Sequence, residues 1–168
     1  YQQQRVLTFL DPSSDPLGAG YNVRQAQIAI GTGGLWGRGI GAGIQSQLRF
    51  LRIRHADFIF SVIGEELGYW GSFFFFLLYV VILQRMLRAA DLSRTAYGRN
   101  VAIGFAAALF FQTFVNVGMN IGLMPVTGIP MPYVSAGGTS LVSLMLMQGI
   151  VESIRMRQKT GLNLGKEK

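Results

Sequence analysis

Between residues 100 and 151 the chain runs for 52 positions without an Asp, Glu, Lys, Arg or His. No single buried helix of a soluble domain is that long, whereas two bilayer crossings of about 20 residues each, joined by an uncharged connection, fill it. The rest of the composition agrees with a membrane class. Of 168 residues, 50% are hydrophobic and only 14% charged, which is too apolar for intrinsic disorder. With no cysteine and one histidine, the chain has no disulfide framework, Cys/His zinc site or thiolate nucleophile, so redox, zinc-hydrolase and cysteine-protease chemistries are excluded together.

A second apolar stretch covers 58–83, whose 26 residues rise about 1.5 Å each and span roughly 39 Å, enough for a hydrocarbon core of about 30 Å. The expectation is an all-α polytopic membrane protein. About three transmembrane helices, at 58–83, 101–124 and 139–154, form part of a larger helical bundle. A Gly-rich loop region with short helices precedes them over 1–57. One short helix is expected over 22–30, where Val23, Ala26 and Ile30 recur at helical spacing. Arginines 85, 88, 94 and 99 in the connection 84–100, and the Lys/Arg-rich tail 155–168, form two basic clusters on one side of the membrane. The positive-inside rule makes that side cytoplasmic and puts 1–57 and 125–138 outside. The net charge of +7 then reflects orientation and contact with anionic membrane lipids rather than nucleic acid. The chain begins at Tyr1 without an initiator Met and shows no signal-peptide pattern, so it is expected to be part of a longer polypeptide.

The glycines at 31, 33, 34, 37, 39, 41 and 43 match neither GxGxxG nor GxxxxGK[ST], which discards a nucleotide-binding reading. They read first as a loop needing positive φ and close backbone approach, and second as amides lining a cleft for an anionic headgroup. Arg49, Arg52 and Arg54 lie at the outer mouth of the first crossing, where guanidinium groups meet lipid phosphates either as binding groups or as snorkelling anchors. His55 reads as a headgroup or hydrogen-bond partner. Asp57 has two readings, a carboxylate poised beside cations to accept a proton, or the N-cap of the apolar helix that follows. Glu65 and Glu66 are adjacent and point about 100° apart, so at least one faces the interior as a structural or relay carboxylate. Three prolines and three glycines between 125 and 138 forbid a continuous helix in a segment too apolar for an exposed loop, and such backbone is tolerated at membrane depth only where protein or a cavity buries it. Gln112, Asn116, Asn120 and Gln148, inside the flanking spans, read as polar packing ahead of a wet cavity.

The order of several motifs then carries a resemblance. Tyr1 to Pro12, the Gly31 to Gly43 run, Gln45 to Leu51, His55-Ala56-Asp57-Phe58-Ile59-Phe60 and Gly64-Glu65-Glu66-Leu67-Gly68 are followed by Asn116, Gly122, Pro125, Gly128 and Ser135-Ala136-Gly137-Gly138-Thr139-Ser140. Over nearly its whole length the chain resembles the C-terminal portion of the SEDS (shape, elongation, division and sporulation) family of peptidoglycan glycosyltransferases, in its RodA-like branch. The resemblance implies a ten-helix enzyme of the bacterial cytoplasmic (inner) membrane. Such an enzyme polymerises lipid II, an undecaprenyl-diphosphate-linked disaccharide peptide, on the outer face during cell elongation and shape maintenance. It works beside a class B penicillin-binding protein transpeptidase. The resemblance also implies that Asp57 is the essential outer-loop aspartate and that Pro125, Gly128, Pro130, Ser135, Gly137, Gly138 and Ser140 form the signature loop; the charge and position of Arg49, Arg52, Arg54 and His55 make them candidates to contact the lipid diphosphate. Arg52, Ile53, Ala56 and Tyr133 depart from the family pattern and bear on fine substrate contacts. No cofactor or resident metal is indicated, and assistance by a divalent cation stays open. Because a family member has more than twice this length, the piece alone is expected to be inactive. The competing readings are a lipid-linked precursor flippase or transporter, and a non-catalytic membrane scaffold.

Overall fold

The computed structural model describes residues 19–42 and 57–163. The helices within them are α1, Ala19–Gly33; α2, Ile59–Asp91; α3, Ala96–Asn120; and α4, Gly138–Asn163. By length and composition, α2 and α3 are apolar enough to cross a membrane. The chain divides into two compact units, one joining the chain up to Phe76 with Gln112–Gly137, the other joining Leu77–Phe111 with the chain from Gly138 onward.

The first apolar stretch is not one straight helix. Gly68 inside α2 has φ 67° and ψ −161°, a region open essentially to glycine alone. The rings of Phe60 and Phe76 stand 5.4 Å apart, whereas 16 residues of straight helix would separate them by about 24 Å along the axis. The chain therefore reverses at Gly68, and 59–67 folds back as a short helix against the start of 69–91. Hydropathy cannot see this, because both pieces are apolar and only a backbone dihedral separates them. The single helix expected over 58–83 is therefore two pieces, of which the longer, 69–91, is roughly 34 Å long at about 1.5 Å per residue. Tyr69 and Trp70 lie exposed at its start, in the manner of an aromatic interfacial belt.

The reversal leaves two helix ends with unpaired backbone groups, and the glycine-rich segment after α1 meets them. Arg38 N and Gly39 N donate to Glu65 O and Glu66 O, each at 3.0 Å, while Tyr69 N and Trp70 N donate to Gly34 O and Leu35 O at 2.9 and 3.3 Å. Gly41 N donates to Glu66 Oε1 at 3.2 Å. Backbones come so close here that a Cβ on Gly33 would overlap Gly64 O, one on Gly37 would overlap Glu66 O, and one on Gly68 would overlap Gly37 N. The headgroup-cradle reading of this run is thus overturned for its described part: the amides of 37–39 and 41 are already consumed, by Gly33 O and by the carbonyls and carboxylate at the α2 reversal.

α2 continues to Asp91 and α3 begins at Ala96, so the connection expected over 84–100 shrinks to 92–95. Arg85 and Arg88 are good helix formers, and Arg88 lies in the last turn of α2, where a cation complements the helix dipole. Thr95 Oγ1 caps α3 by accepting Gly98 N at 3.1 Å. At the other end Leu123 N donates to Gly118 O at 2.8 Å and Gly122 N to Met119 O at 3.2 Å, with Gly122 at φ 77°. This is a Schellman closure, and it stops α3 at Asn120 rather than Met124.

Candidate functional site

The chain enters α2 through Asp57 and Phe58. Phe58 is buried in a small apolar cluster with Ala26, flanked by Val23 and Val126, and its carbonyl accepts both Ser61 Oγ at 2.7 Å and Ser61 N at 3.2 Å. The residue just ahead of the helix is therefore Phe58, anchored on both sides. Asp57 comes one position earlier, half-buried, with its backbone fixed by this anchor.

A second hold comes from α3. Asn116 and Asn120, four residues apart and hence on one face of the helix, are fully buried. Asn116 Nδ2 donates to Asp57 O at 3.0 Å and to Ile129 O at 2.8 Å; Asn120 Nδ2 reaches Asp57 O at 3.2 Å and Asn116 O at 2.8 Å. One amide thus ties the aspartate's main chain to the irregular segment after α3. Next to Ile129 stands Gly128 at φ 75°, where a Cβ would lie 3.7 Å from Asp57 Oδ2. The glycine leaves the flank of the carboxylate clear.

The irregular segment holds its own shape. Ser135 Oγ accepts Met131 N at 2.7 Å, Ser135 N donates back to Met131 O at 3.1 Å, and Gly137 N donates to Ser135 O at 2.8 Å. Met131 and Pro132 are buried and Pro125 and Pro130 half-buried; the three prolines exclude a helical continuation of α3. Tyr133 adopts φ 63°, a costly conformation for a bulky side chain, and burial pushes its phenol pKa up.

Of the sequence-derived site residues, Asp57, Pro125, Gly128, Pro130, Ser135 and Gly137 fall in one compact unit, while Gly138 and Ser140 belong to the first turn of α4. Arg49, Arg52, Arg54 and His55 lie outside the described residues. Glu65 is fully buried and Glu66 half-buried; both sit at the α2 reversal, because the helix breaks three residues after Glu65. Asn116 and Asn120 are legible in the sequence only as polar packing. Their spacing of four on an apolar helix is the available signal, but the partner on the far side of the bond lies 59 residues away in sequence. Among the described residues no group of three or more His, Asp or Glu comes together as a metal cage. What the arrangement offers chemically is one half-exposed carboxylate on a backbone held from two sides, next to a glycine that leaves room for a reacting group.

Known proteins share this arrangement of sequence and fold. The family described as cell cycle proteins of the FtsW, RodA and SpoVE type matches residues 1–160. The peptidoglycan glycosyltransferase MrdB of Escherichia coli (strain K12) is 51% identical over 159 residues, 95% of this chain and 43% of that protein, and the peptidoglycan glycosyltransferase RodA of Treponema pallidum (strain Nichols) is 42% identical over 158 residues, 94% of this chain and 36% of that protein. A solved structure of a peptidoglycan synthase complex that coordinates polymerization and crosslinking is similar with a TM-score of 0.72 at 35% identity, over 94% of this chain and 42% of that one. The chain spans less than half the length of the curated relatives it matches.

Proposed function

The chain belongs to the FtsW, RodA and SpoVE family of cell cycle proteins, and from that premise we propose that it forms the carboxylate-bearing part of a peptidoglycan glycosyltransferase that polymerises lipid II. In this reading the hydroxyl of the acceptor sugar attacks the anomeric carbon of the strand held as its undecaprenyl diphosphate. The new glycosidic C–O bond forms as the C–O bond to the diphosphate breaks, the bonding electron pair leaves with the diphosphate, and Asp57 takes the hydroxyl proton. General-base assistance of this kind is worth about 10²- to 10⁴-fold. Arg49, Arg52, Arg54 and His55 are the groups we assign to the diphosphate, whose growing charge guanidinium groups stabilise. The observation that carries the reading is the half-buried Asp57 against Gly128, with the family match running along both. A class B penicillin-binding protein is the proposed partner, in line with the similarity to a synthase complex that couples polymerization with crosslinking.

Purified full-length protein, given lipid II in detergent where no compartments exist, should build glycan chains. Failure to build them, with transport of the precursor in sealed vesicles, would instead favour the flippase reading.

We further propose that 69–91, α3 and the apolar part of α4 are membrane crossings, with 92–95 and the basic tail on the cytoplasmic side and the site on the outer face. Single cysteines at Ser13 and Arg94, introduced into an otherwise cysteine-free full-length protein in intact cells, test this. An impermeant thiol reagent should label position 13 and spare position 94. The reverse pattern would put Asp57 on the wrong side of the membrane for an outer-face polymerase.

A further inference from the structure

The Asn116 and Asn120 pair lies in an apolar helix, fully buried, at a place where aliphatic side chains would pack without a polar cost. Asn120 Oδ1 is itself buried with no hydrogen-bond partner among the described residues. What the pair gains is a set of donors, and every one of them points to a backbone or side-chain acceptor around Asp57 and Ile129 or within the pair itself. Asn116 has two amide protons and two external carbonyls to hold, so its Nδ2 is fully committed. Asn120 Nδ2 also lies 3.2 Å from Asn116 Oδ1, which fixes the rotation of the Asn116 amide and turns its Nδ2 toward those carbonyls.

We propose that Asn116, oriented by Asn120, is a positioning residue that sets the Asp57 carboxylate against Gly128 by tying the main chains of residues 57 and 129 to a single amide. Asp57 O and Ile129 O converge on one nitrogen at 3.0 and 2.8 Å, so neither segment moves without stretching a part-buried bond. Gly128 precedes Ile129 directly, and in its φ of 75° a Cβ would point to within 3.7 Å of Asp57 Oδ2. Loss of the amide frees the carboxylate and the segment it faces to move independently, and a displacement near 1 Å at a reacting group costs on the order of 10²-fold in rate. The clamp grips main-chain oxygen, so it acts on where the carboxylate stands and not on its charge.

This inference rests on reading Asp57 as the general base, and its test separates the two. In the full-length enzyme, Asn116→Leu removes both donors on the same branched framework of four heavy atoms, and Asn116→Gln keeps them on an arm one methylene longer. At equal folded concentration, kcat for lipid II polymerisation should fall at least about tenfold in Asn116→Leu and by a smaller but clear factor in Asn116→Gln, with KM for lipid II within about twofold. Val115→Ala, on the same helix with no bond to Asp57, controls for lost stability and should leave kcat near wild type. Against an Asp57→Asn background the Asn116 substitutions should change the residual rate less than about twofold, because a positioning residue has nothing left to position. If Asn116→Leu does not fold, Asn116→Gln decides. Wild-type kcat in either folded Asn116 variant, or losses that multiply fully with Asp57→Asn, overturn the positioning role. An active Asp57→Asn single variant overturns the base assignment itself.

Discussion

Asp57→Asn in the full-length protein is expected to cut glycan polymerisation by at least about 10²-fold while leaving the folded protein nearly as stable as wild type. The two effects separate because the structure holds residue 57 by its carbonyl and not through its side chain alone: Asn116 and Asn120 both donate to Asp57 O, and Phe58 beside it is buried and bonded to Ser61. Asn is nearly isosteric and keeps an oxygen acceptor, but it cannot take a proton from an attacking hydroxyl at neutral pH. Asp57→Ala keeps the same backbone bonds, so its stability should change by no more than about 1 kcal/mol. Polymerisation is measured on lipid II at matched folded concentration, with thermal unfolding of each variant recorded alongside. An Asp57→Asn protein that polymerises at near wild-type rate would make Asp57 a structural residue and move the chemistry elsewhere.

The largest effect on folding is expected at Gly68. A Cβ there meets the backbone nitrogen of Gly37, and the φ of 67° with ψ of −161° is itself a conformation that costs a side-chain-bearing residue about 1 to 3 kcal/mol. Relief requires the loop and the reversal to part, which breaks bonds among the four that join 34–39 to Glu65, Glu66, Tyr69 and Trp70, at about 0.5 to 1.5 kcal/mol each. Gly68→Ala should therefore destabilise by at least about 3 kcal/mol, and Gly68→Val should abolish accumulation of folded protein. Gly31 supplies the contrast, since it lies in α1 and a methyl group on its Cα would meet no atom within 4 Å, so Gly31→Ala should be neutral or stabilising by up to about 1 kcal/mol. Thermal unfolding of the full-length variants in detergent compares them directly. Equal stability of Gly68→Ala and Gly31→Ala would show that the reversal does not depend on glycine.

Asp57 and Gly68 stand on opposite sides of the boundary between local composition and chain return. The membrane class is legible in the residues alone, because a charge-free run from 100 to 151 has no other economical solution, and Asp57 stands out chemically as a carboxylate between an arginine-rich segment and an apolar helix. The need of the glycine run for positive φ is legible too, and Gly34, Gly37, Gly39 and Gly41 all adopt it. The reversal of the stretch beginning at Phe58 emerges only in three dimensions, since hydropathy sums side chains and is blind to a single backbone dihedral. So does the satisfaction of the reversal's helix ends by the glycine loop, and the grip of Asn116 and Asn120 on Asp57 from 59 and 63 residues away. Periodicity reads neighbours one or two turns distant, and a bond between segments that far apart leaves no trace in it. Burial follows from local composition, but the partner of a buried polar group is set by where the chain returns.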